Sequence, residues 1–207
     1  MIASIVVHRP ARARQLFVLF HGADDDTAVL APLGRSLASA FPEGFVVVLP
    51  APARTPDFLA AISRWQSESG VAAQATAVVG FSQGAVRALE ATKSVPAPAG
   101  RVVALAGRFE SPPTEPAPEM TIHLFHGKED PVIPYAGTID AAQRLLELGT
   151  DVTADVIPFL GHEVSAEMAA LVLERLRGYL PQRYWREALE AAPADSPGTP
   201  RATRAPR

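Results

Sequence analysis

The sequence predicts an α/β fold, in which helices cover both faces of a mostly parallel central sheet. Two observations lead to this prediction. Short apolar runs alternate along the chain with segments whose apolar residues recur at helical spacing. Several runs, such as residues 15–20 and 45–49, are apolar almost throughout, which is typical of strands that are buried on both faces.

Each predicted element follows from its local pattern. The first half of the chain gives strands at 4–8 (an edge strand), 15–20, 45–49 and 77–79, and helices at 27–40, 56–69 and 85–93. Leu30, Leu33 and Leu37 recur at helical spacing in the first helix, and Gly70 is suited to cap the second. The second half gives strands at 101–105, 121–125 and 152–158, and helices at 135–148 and 164–180.

Length and composition predict one domain over residues 1–192 and a disordered tail at 193–207, where Pro, Ala, Thr and Arg dominate. A hydrophobic share of 48% supplies a core, and a formal net charge of −3 argues against nucleic acid as a partner. The lack of cysteine excludes disulfides, thiolate zinc sites and a cysteine nucleophile. No apolar run approaches the ~18 residues of a membrane span and no signal peptide is evident, so we expect a cytoplasmic protein without a membrane span.

Residues 77–85, Ala-Val-Val-Gly-Phe-Ser-Gln-Gly-Ala, carry the most informative motif. An apolar strand ends in Gly-x-Ser-x-Gly and a helix-prone segment follows, which is the context of a nucleophile elbow; an ordinary turn is the alternative. Gly80 and Gly84 supply positions without a Cβ beside a crowded turn, and Ser82 is the candidate nucleophile. The helix that follows would point backbone N–H groups at developing negative charge.

Candidate partners of Ser82 follow later strands. Asp130 comes after strand 121–125 and His162 after strand 152–158, and sites in open α/β sheets form at the carboxyl ends of strands. We expect His162 to act as the general base and Asp130 to orient it. Glu129 is an alternative orienter with a longer side chain. Alternative bases are the other histidines, His8, His21, His123 and His126, of which His21 and His126 precede glycines and could instead structure their loops.

An oxyanion hole is expected from two backbone N–H groups. One belongs to Gln83, which follows the nucleophile, and the second to Ala23, in the loop His21-Gly22-Ala23 after the first buried strand. Gly22 would let this loop bend closely around a substrate oxygen. The acidic run at 24–26 could bind a metal, but no further ligands are spaced around it, so helix capping or a solvated turn is favoured and no metal is predicted.

Four stretches together resemble the phospholipase/carboxylesterase family of α/β hydrolases, which includes bacterial carboxylesterases and the acyl-protein thioesterases: residues 19–25, 80–85, 126–133 and 161–163. The resemblance extends over about residues 4–191. It implies the α/β-hydrolase fold and a serine hydrolase without a cofactor. The enzyme would cleave a small-molecule carboxylic ester or thioester through an acyl-enzyme, with Ser82, Asp130 and His162 as the catalytic residues. We expect a monomer or a homodimer.

One segment departs from the family pattern. Family members usually carry a longer segment with an aromatic loop after the strand that corresponds to 45–49, whereas here residues 50–56 lead almost directly into a short helix. The shortened segment between Leu49 and Trp65 predicts a more open acyl site, since Trp65 lies too late in the helix to replace the loop. Candidates for a pocket that takes small to medium acyl groups are Phe81, Val132, Ile133, Phe159 and Leu160.

Two other functions fit the same fold. The first is a non-catalytic binding module that keeps the hydrolase fold after losing its substrate wall. The second is an enzyme similar to the dienelactone hydrolases, which is disfavoured because Ser82 stands where that group has a cysteine.

Overall fold

The computed structural model describes residues 4–22, 27–117 and 119–185. Its strands are β1 (Ile5–His8), β2 (Gln15–His21), β3 (Gly44–Pro50), β4 (Thr76–Phe81), β5 (Arg101–Leu105), β6 (Thr121–Gly127) and β7 (Asp151–Ile157). Its α-helices are α1 (Ala31–Ala40), α2 (Thr55–Ser69), α3 (Gln83–Ala91), α4 (Ala136–Glu147) and α5 (Ala166–Gly178). The predicted alternation of strands and helices is therefore confirmed over these residues.

The strands form one sheet in the order β1-β3-β2-β4-β5-β6-β7. Strand β1 lies at an edge and pairs antiparallel with β3, as the edge position predicted for it allows. All other neighbours are parallel. The carboxyl ends of β2 to β7 therefore meet along one edge of the sheet, and β4, which leads to Ser82, lies at its centre.

Two apolar layers pack against the sheet, one on each face. Helices α2, α3 and α4 cover one face, where Phe58, Leu89 and Leu145 are almost completely buried. Helices α1 and α5 cover the other face with residues such as Leu37 and Val172. Burial on both faces explains why the parallel strands are apolar almost throughout.

Several helix boundaries differ from the prediction. A 3-10 turn occupies Thr27–Val29, and α1 begins only at Ala31, where Pro32 in the first turn favours a helix start. Helix α3 starts at Gln83, ahead of the predicted residue 85, because the turn at Ser82 leads directly into it. Helix α5 begins at Ala166 and not at 164 because the Ser165 side chain caps it, accepting the N–H of Met168 at 3.1 Å, and it ends at Gly178, ahead of the predicted residue 180.

Strand β6 is longer than predicted. It continues past Phe125 because His126 and Gly127 pair with Val156 and Ile157 of β7. His126 is thus a strand residue and not part of the following turn.

Several predictions concern residues outside the described ranges. These are Ala23, the acidic run at 24–26 and the tail at 193–207. Among the described helices, none combines the length and the apolar character that crossing a membrane requires.

Candidate active site

Ser82 lies on a strained turn between β4 and α3. Its φ of 53° and ψ of −118° fall outside the regions that side-chain-bearing residues normally adopt. The Ser82 N–H donates to the Leu105 carbonyl of neighbouring β5 at 3.0 Å, which fixes the turn to the sheet. The hydroxyl makes no capping hydrogen bond to α3, so it is available to another partner at the carboxyl edge.

The two glycines of the motif are required by close backbone contacts. A Cβ at Gly80 would lie 2.3 Å from the carbonyl oxygen of Gly84. A Cβ at Gly84 would lie 2.0 Å from the carbonyl oxygen of Phe20 in β2. Both gaps are far below van der Waals contact, and backbone atoms cannot swing aside as a side chain can. The strained turn therefore depends on glycine at both positions.

Hydrogen bonds join Ser82, His162 and Asp130 in a chain. The distance from Ser82 Oγ to His162 Nε2 is 2.9 Å, and that from His162 Nδ1 to Asp130 Oδ2 is 2.7 Å. A carboxylate can only accept a hydrogen bond, so Nδ1 carries the imidazole hydrogen and donates a hydrogen bond to Asp130. Nε2 is then left as an acceptor for the Ser82 hydroxyl. The three side chains come from the turns after β4, β6 and β7.

The Asp130 carboxylate is fixed by hydrogen bonds from the backbone of the turn that follows it. Its Oδ1 accepts the backbone N–H groups of Val132 at 2.8 Å and Ile133 at 2.9 Å, and its side chain is completely buried. Burial raises the pKa of the Asp130 carboxyl, but the hydrogen bonds from His162, Ile133 and Val132 outweigh burial, so the pKa lies below its usual range. The carboxylate is therefore ionised at neutral pH.

Backbone hydrogen bonds bring the turn of Asp130 beside that of His162. Lys128 N–H donates to the Ile157 carbonyl and Glu129 N–H to the Leu160 carbonyl, each at 2.9 Å. The two chains also approach so closely that a Cβ at Gly127 would lie 2.3 Å from the Leu160 carbonyl oxygen. The Glu129 residue is exposed, so of the two neighbouring carboxylates only Asp130 faces the imidazole.

The other four histidines contact different partners. His8 contacts the Pro42 carbonyl at 3.0 Å, His123 the Thr153 hydroxyl at 2.8 Å, His126 the Thr138 hydroxyl at 2.6 Å, and His21 the Gly22 carbonyl at 2.7 Å. Two of them are otherwise notable. Buried His21 has no partner for Nε2 in the described structure, and His126 approaches Asp130. The sequence offered His126 as an alternative base or as a residue that structures its loop, and it did not predict the contact with Asp130; the spacing of four residues between them is the one signal of it.

One of the two expected oxyanion donors can be placed. Gln83 is the first residue of α3, so its N–H has no acceptor within the helix and lies at the positive end of the helix dipole. Ala23 belongs to the residues outside the described ranges. Gly22, which precedes it, is buried and directly follows β2, the strand that pairs with the elbow strand β4.

The candidate pocket residues have very different exposures. The Phe81 ring packs on the His162 ring with centroids 5.0 Å apart, and Leu160 is buried. Ile133 is partly buried, whereas Val132 is 63% exposed and Phe159 is 93% exposed. Phe159 and Val132 are thus largely open to solvent, and the part of all five residues in binding an acyl group stays a prediction.

Residues with strained backbone conformations lie after strands at the carboxyl edge of the sheet. In the described structure the non-glycine residues with positive φ are Ser82, Ala106 (50°) and Phe159 (59°). They follow β4, β5 and β7, respectively. Strain of this kind persists only where the surrounding structure enforces it, and it clusters at functional sites.

The segment after β3 is short, as the sequence indicates. Only residues 51–54 separate β3 from α2. Trp65 is 4% exposed and its ring packs near that of Phe45 with centroids 5.8 Å apart. It therefore belongs to the core and does not replace an aromatic loop at the site.

The model of one protein family, described as phospholipase/carboxylesterase, matches residues 50–179, which include Ser82, Asp130 and His162. The chain belongs to the phospholipase/carboxylesterase family. It is 37% identical over 212 residues to the esterase YpfH of Escherichia coli strain K12, with 89% of this chain and 91% of YpfH covered. It is also 29% identical over 124 residues to acyl-protein thioesterase 1 of Gibberella zeae, over 56% of this chain and 53% of that protein.

Solved structures agree with this assignment. The crystal structure of esterase PE8 superposes with a TM-score of 0.74 at 25% identity, covering 86% of this chain and 98% of that one. The predicted α/β-hydrolase fold is confirmed, and this member of the phospholipase/carboxylesterase family is a carboxylic ester hydrolase. Esterase relatives over most of the chain thereby favour an enzyme over the non-catalytic binding module.

Proposed function

We propose that Ser82, His162 and Asp130 form the catalytic triad of this hydrolase and that it acts through a covalent acyl-enzyme. The observation that carries the proposal is the continuous hydrogen-bonded chain from Ser82 Oγ through His162 to Asp130. Its members come from three separate turns, and the nucleophile lies on a strained turn between strand and helix. This combination is the geometry of serine hydrolases on α/β sheets.

Acylation begins when Ser82 Oγ attacks the carbonyl carbon of the ester. His162 Nε2 takes the hydroxyl proton, and the ionised Asp130 stabilises the imidazolium and keeps Nδ1 protonated. The tetrahedral intermediate then collapses, the carbon–oxygen or carbon–sulfur bond breaks, and the leaving alcohol or thiol takes the proton from His162. Water attacks the acyl-enzyme in the same way, with His162 as the base, and releases the carboxylic acid and free Ser82.

The negative oxygen of the intermediate needs donors that are in place beforehand. We assign one to the Gln83 N–H, at the N-terminus of α3. The second is proposed to be the Ala23 N–H, from the loop after β2. A single donor of this kind typically contributes about 10²–10³ in rate. His21 and Gly22 precede Ala23 and are proposed to support the loop. The three side chains and the two N–H groups are sufficient for the proposed reaction, which needs no cofactor.

The proposed substrates are small-molecule esters or thioesters with small to medium acyl groups. Phe81 packs on the His162 ring, and we propose that Phe81 and Leu160, together with the more exposed Val132, Ile133 and Phe159, supply apolar contacts to the acyl group. The short segment between Leu49 and Trp65 leaves that side of the site without an aromatic loop. An acyl group would therefore be held mainly from the side of the turns after β6 and β7.

The test is hydrolysis of p-nitrophenyl butyrate by Ser82→Ala. We expect kcat/KM to fall by a factor on the order of 10⁵–10⁶, because removal of the nucleophile abolishes the acyl-enzyme route. Ser67→Ala is the matched control, since Ser67 is exposed on α2, and it should keep full activity. A fluorophosphonate probe should label the wild type and Ser67→Ala but not Ser82→Ala. Hydrolysis retained by Ser82→Ala would overturn the proposal.

A further inference from the structure

His126 is a completely buried side chain at the end of β6, and it contacts the turn that carries Asp130. Its Nε2 lies 2.8 Å from the Ile133 carbonyl oxygen and 3.2 Å from Asp130 Oδ2. Its Nδ1 lies 2.6 Å from the hydroxyl of Thr138 in α4. Both ring nitrogens are therefore engaged, although the hydrolytic reaction described above makes no use of this histidine.

The partners determine where the imidazole proton sits. The Ile133 carbonyl and the Asp130 carboxylate can only accept, so Nε2 must carry hydrogen. Nδ1 can then accept the hydroxyl proton of Thr138. The Nε2–H thus donates to the Ile133 carbonyl and has Asp130 Oδ2 beside it, 3.2 Å from the same nitrogen, and a neutral ring satisfies every contact.

The same N–H lies beside the buried Asp130 carboxylate. Oδ1 already accepts two backbone N–H groups of the turn, from Val132 and Ile133, while Oδ2 receives His162 on one side and faces His126 on the other. The Ile133 carbonyl is tied to the same ring, so both peptide groups of Ile133 are fixed. The ring itself is immobile, because His126 pairs with Val156 in the sheet and its other nitrogen is held by α4.

We infer that His126 is a positioning residue for ester hydrolysis: its Nε2–H holds the Asp130 carboxylate and the 130–133 turn so that Oδ2 stays aligned with His162. The inference rests on the proposed roles of Ser82, His162 and Asp130. His126 has no route to substrate, since its side chain is fully buried. Its effect is transmitted through Asp130, and misplacement of a catalytic group by about 1 Å can cost about 10²-fold in rate.

Two amide substitutions separate the contacts of the two ring nitrogens. The amide nitrogen of glutamine can reach the position of Nε2, whereas that of asparagine reaches only the position of Nδ1. His126→Gln therefore keeps a donor for Ile133 and Asp130 and gives up the Thr138 contact. His126→Asn keeps only a polar amide group for the Thr138 hydroxyl and loses the donor to Ile133 and Asp130, and His126→Leu removes both contacts.

The experiment measures kcat and KM for p-nitrophenyl butyrate with these three variants. We expect His126→Asn and His126→Leu to lose about 10²-fold in kcat with KM nearly unchanged, and His126→Gln to stay within about tenfold of the wild type. His123→Gln is the matched control. His123 lies in the same strand, is equally buried and has one hydrogen bond, to Thr153, but it does not contact Asp130. Its kcat should equal that of the wild type.

The outcomes distinguish the inference from the function on which it rests. If Ser82→Ala is inactive and folded His126→Asn has the kcat of the wild type, the positioning role is wrong. Equal loss in His126→Gln and His126→Asn also overturns it, because a merely structural histidine gives no preference for the Nε2 donor. If His126→Leu fails to fold, the Gln and Asn pair still decides. Activity retained by Ser82→Ala would instead refute the proposed function.

Discussion

At the scale of single residues, Glu129 and Asp130 are neighbouring carboxylates with opposite surroundings. Asp130 has a fully buried side chain that accepts hydrogen bonds from two backbone N–H groups and from His162. Glu129 is exposed and contributes its backbone N–H to the contact with Leu160. Only Asp130 is placed to stabilise an imidazolium, because the interaction with an exposed carboxylate is weakened by water.

We therefore predict that Asp130→Asn lowers kcat for p-nitrophenyl butyrate by a factor on the order of 10⁴. The amide no longer stabilises the charged imidazole, and it can hold His162 in the wrong tautomer. Glu129→Gln makes the same chemical change one residue earlier and should leave kcat within about twofold. Steady-state kinetics of both variants at pH 8 provides the measurement. Equal losses in the two would show that the charge of the turn matters, and not the contact with His162.

The sequence predicts which turns meet but not which atoms do. Ser82, Asp130 and His162 each follow a strand of a parallel sheet, and the ends of such strands share one edge, so their proximity follows from the pattern alone. The choice between Asp130 and Glu129 depends on side-chain direction within a turn. The contact of His126 with Asp130 depends on two further residues of β6 pairing with β7. Neither has a periodic signal in the sequence.

At the scale of secondary-structure elements, the β4–α3 connection requires glycine, which has no Cβ atom, at two positions. Gly84 is the second residue of α3, and its Cα faces the Phe20 carbonyl of β2. The helix can therefore start directly above the sheet and place the Gln83 N–H beside Ser82. The Gly-x-Ser-x-Gly motif predicts this turn well. The start of α1 differs from the prediction because the spacing of its apolar residues does not indicate at which residue the first helical hydrogen bonds form.

Gly84→Ala should destabilise the protein by about 3 kcal/mol, because the new methyl group would overlap a backbone carbonyl that cannot rotate away. Urea unfolding at pH 7 measures the change. Gly178→Ala is the control: Gly178 ends α5, and a Cβ there would meet no atom within 4 Å. That variant should be unchanged or up to about 1 kcal/mol more stable. An unaltered midpoint for Gly84→Ala would mean that α3 can shift without cost.

At the scale of the whole molecule, β6 carries two buried histidines toward opposite faces of the sheet. His126 contacts α4 on one face, while the His123 ring packs edge-on against Tyr179, which follows α5 on the other. Burial, and to a smaller extent the positive charge of Arg101, lower the pKa of His123 to about 4. The negative charge of Asp151 raises this pKa by less than the other two lower it. The other charged groups that act on it are Arg175 and Asp155. At mildly acidic pH, the unfolded chain therefore binds a proton at His123 that the folded protein does not bind.

This difference predicts acid sensitivity that comes from His123 and not from the site. The unfolded histidine takes a proton as the pH falls through about 6.5, whereas the folded one does so only at about 4, so stability is lost between these values and not further below. From pH 7 to pH 5 the loss from His123 is about 2 kcal/mol. In His123→Gln this part of the pH dependence should vanish. Thr153→Val, which removes the hydrogen-bond partner but keeps the imidazole, should retain it. Urea unfolding at pH 7 and pH 5 tests both variants, and an unchanged pH difference in His123→Gln would assign the acid sensitivity to other groups.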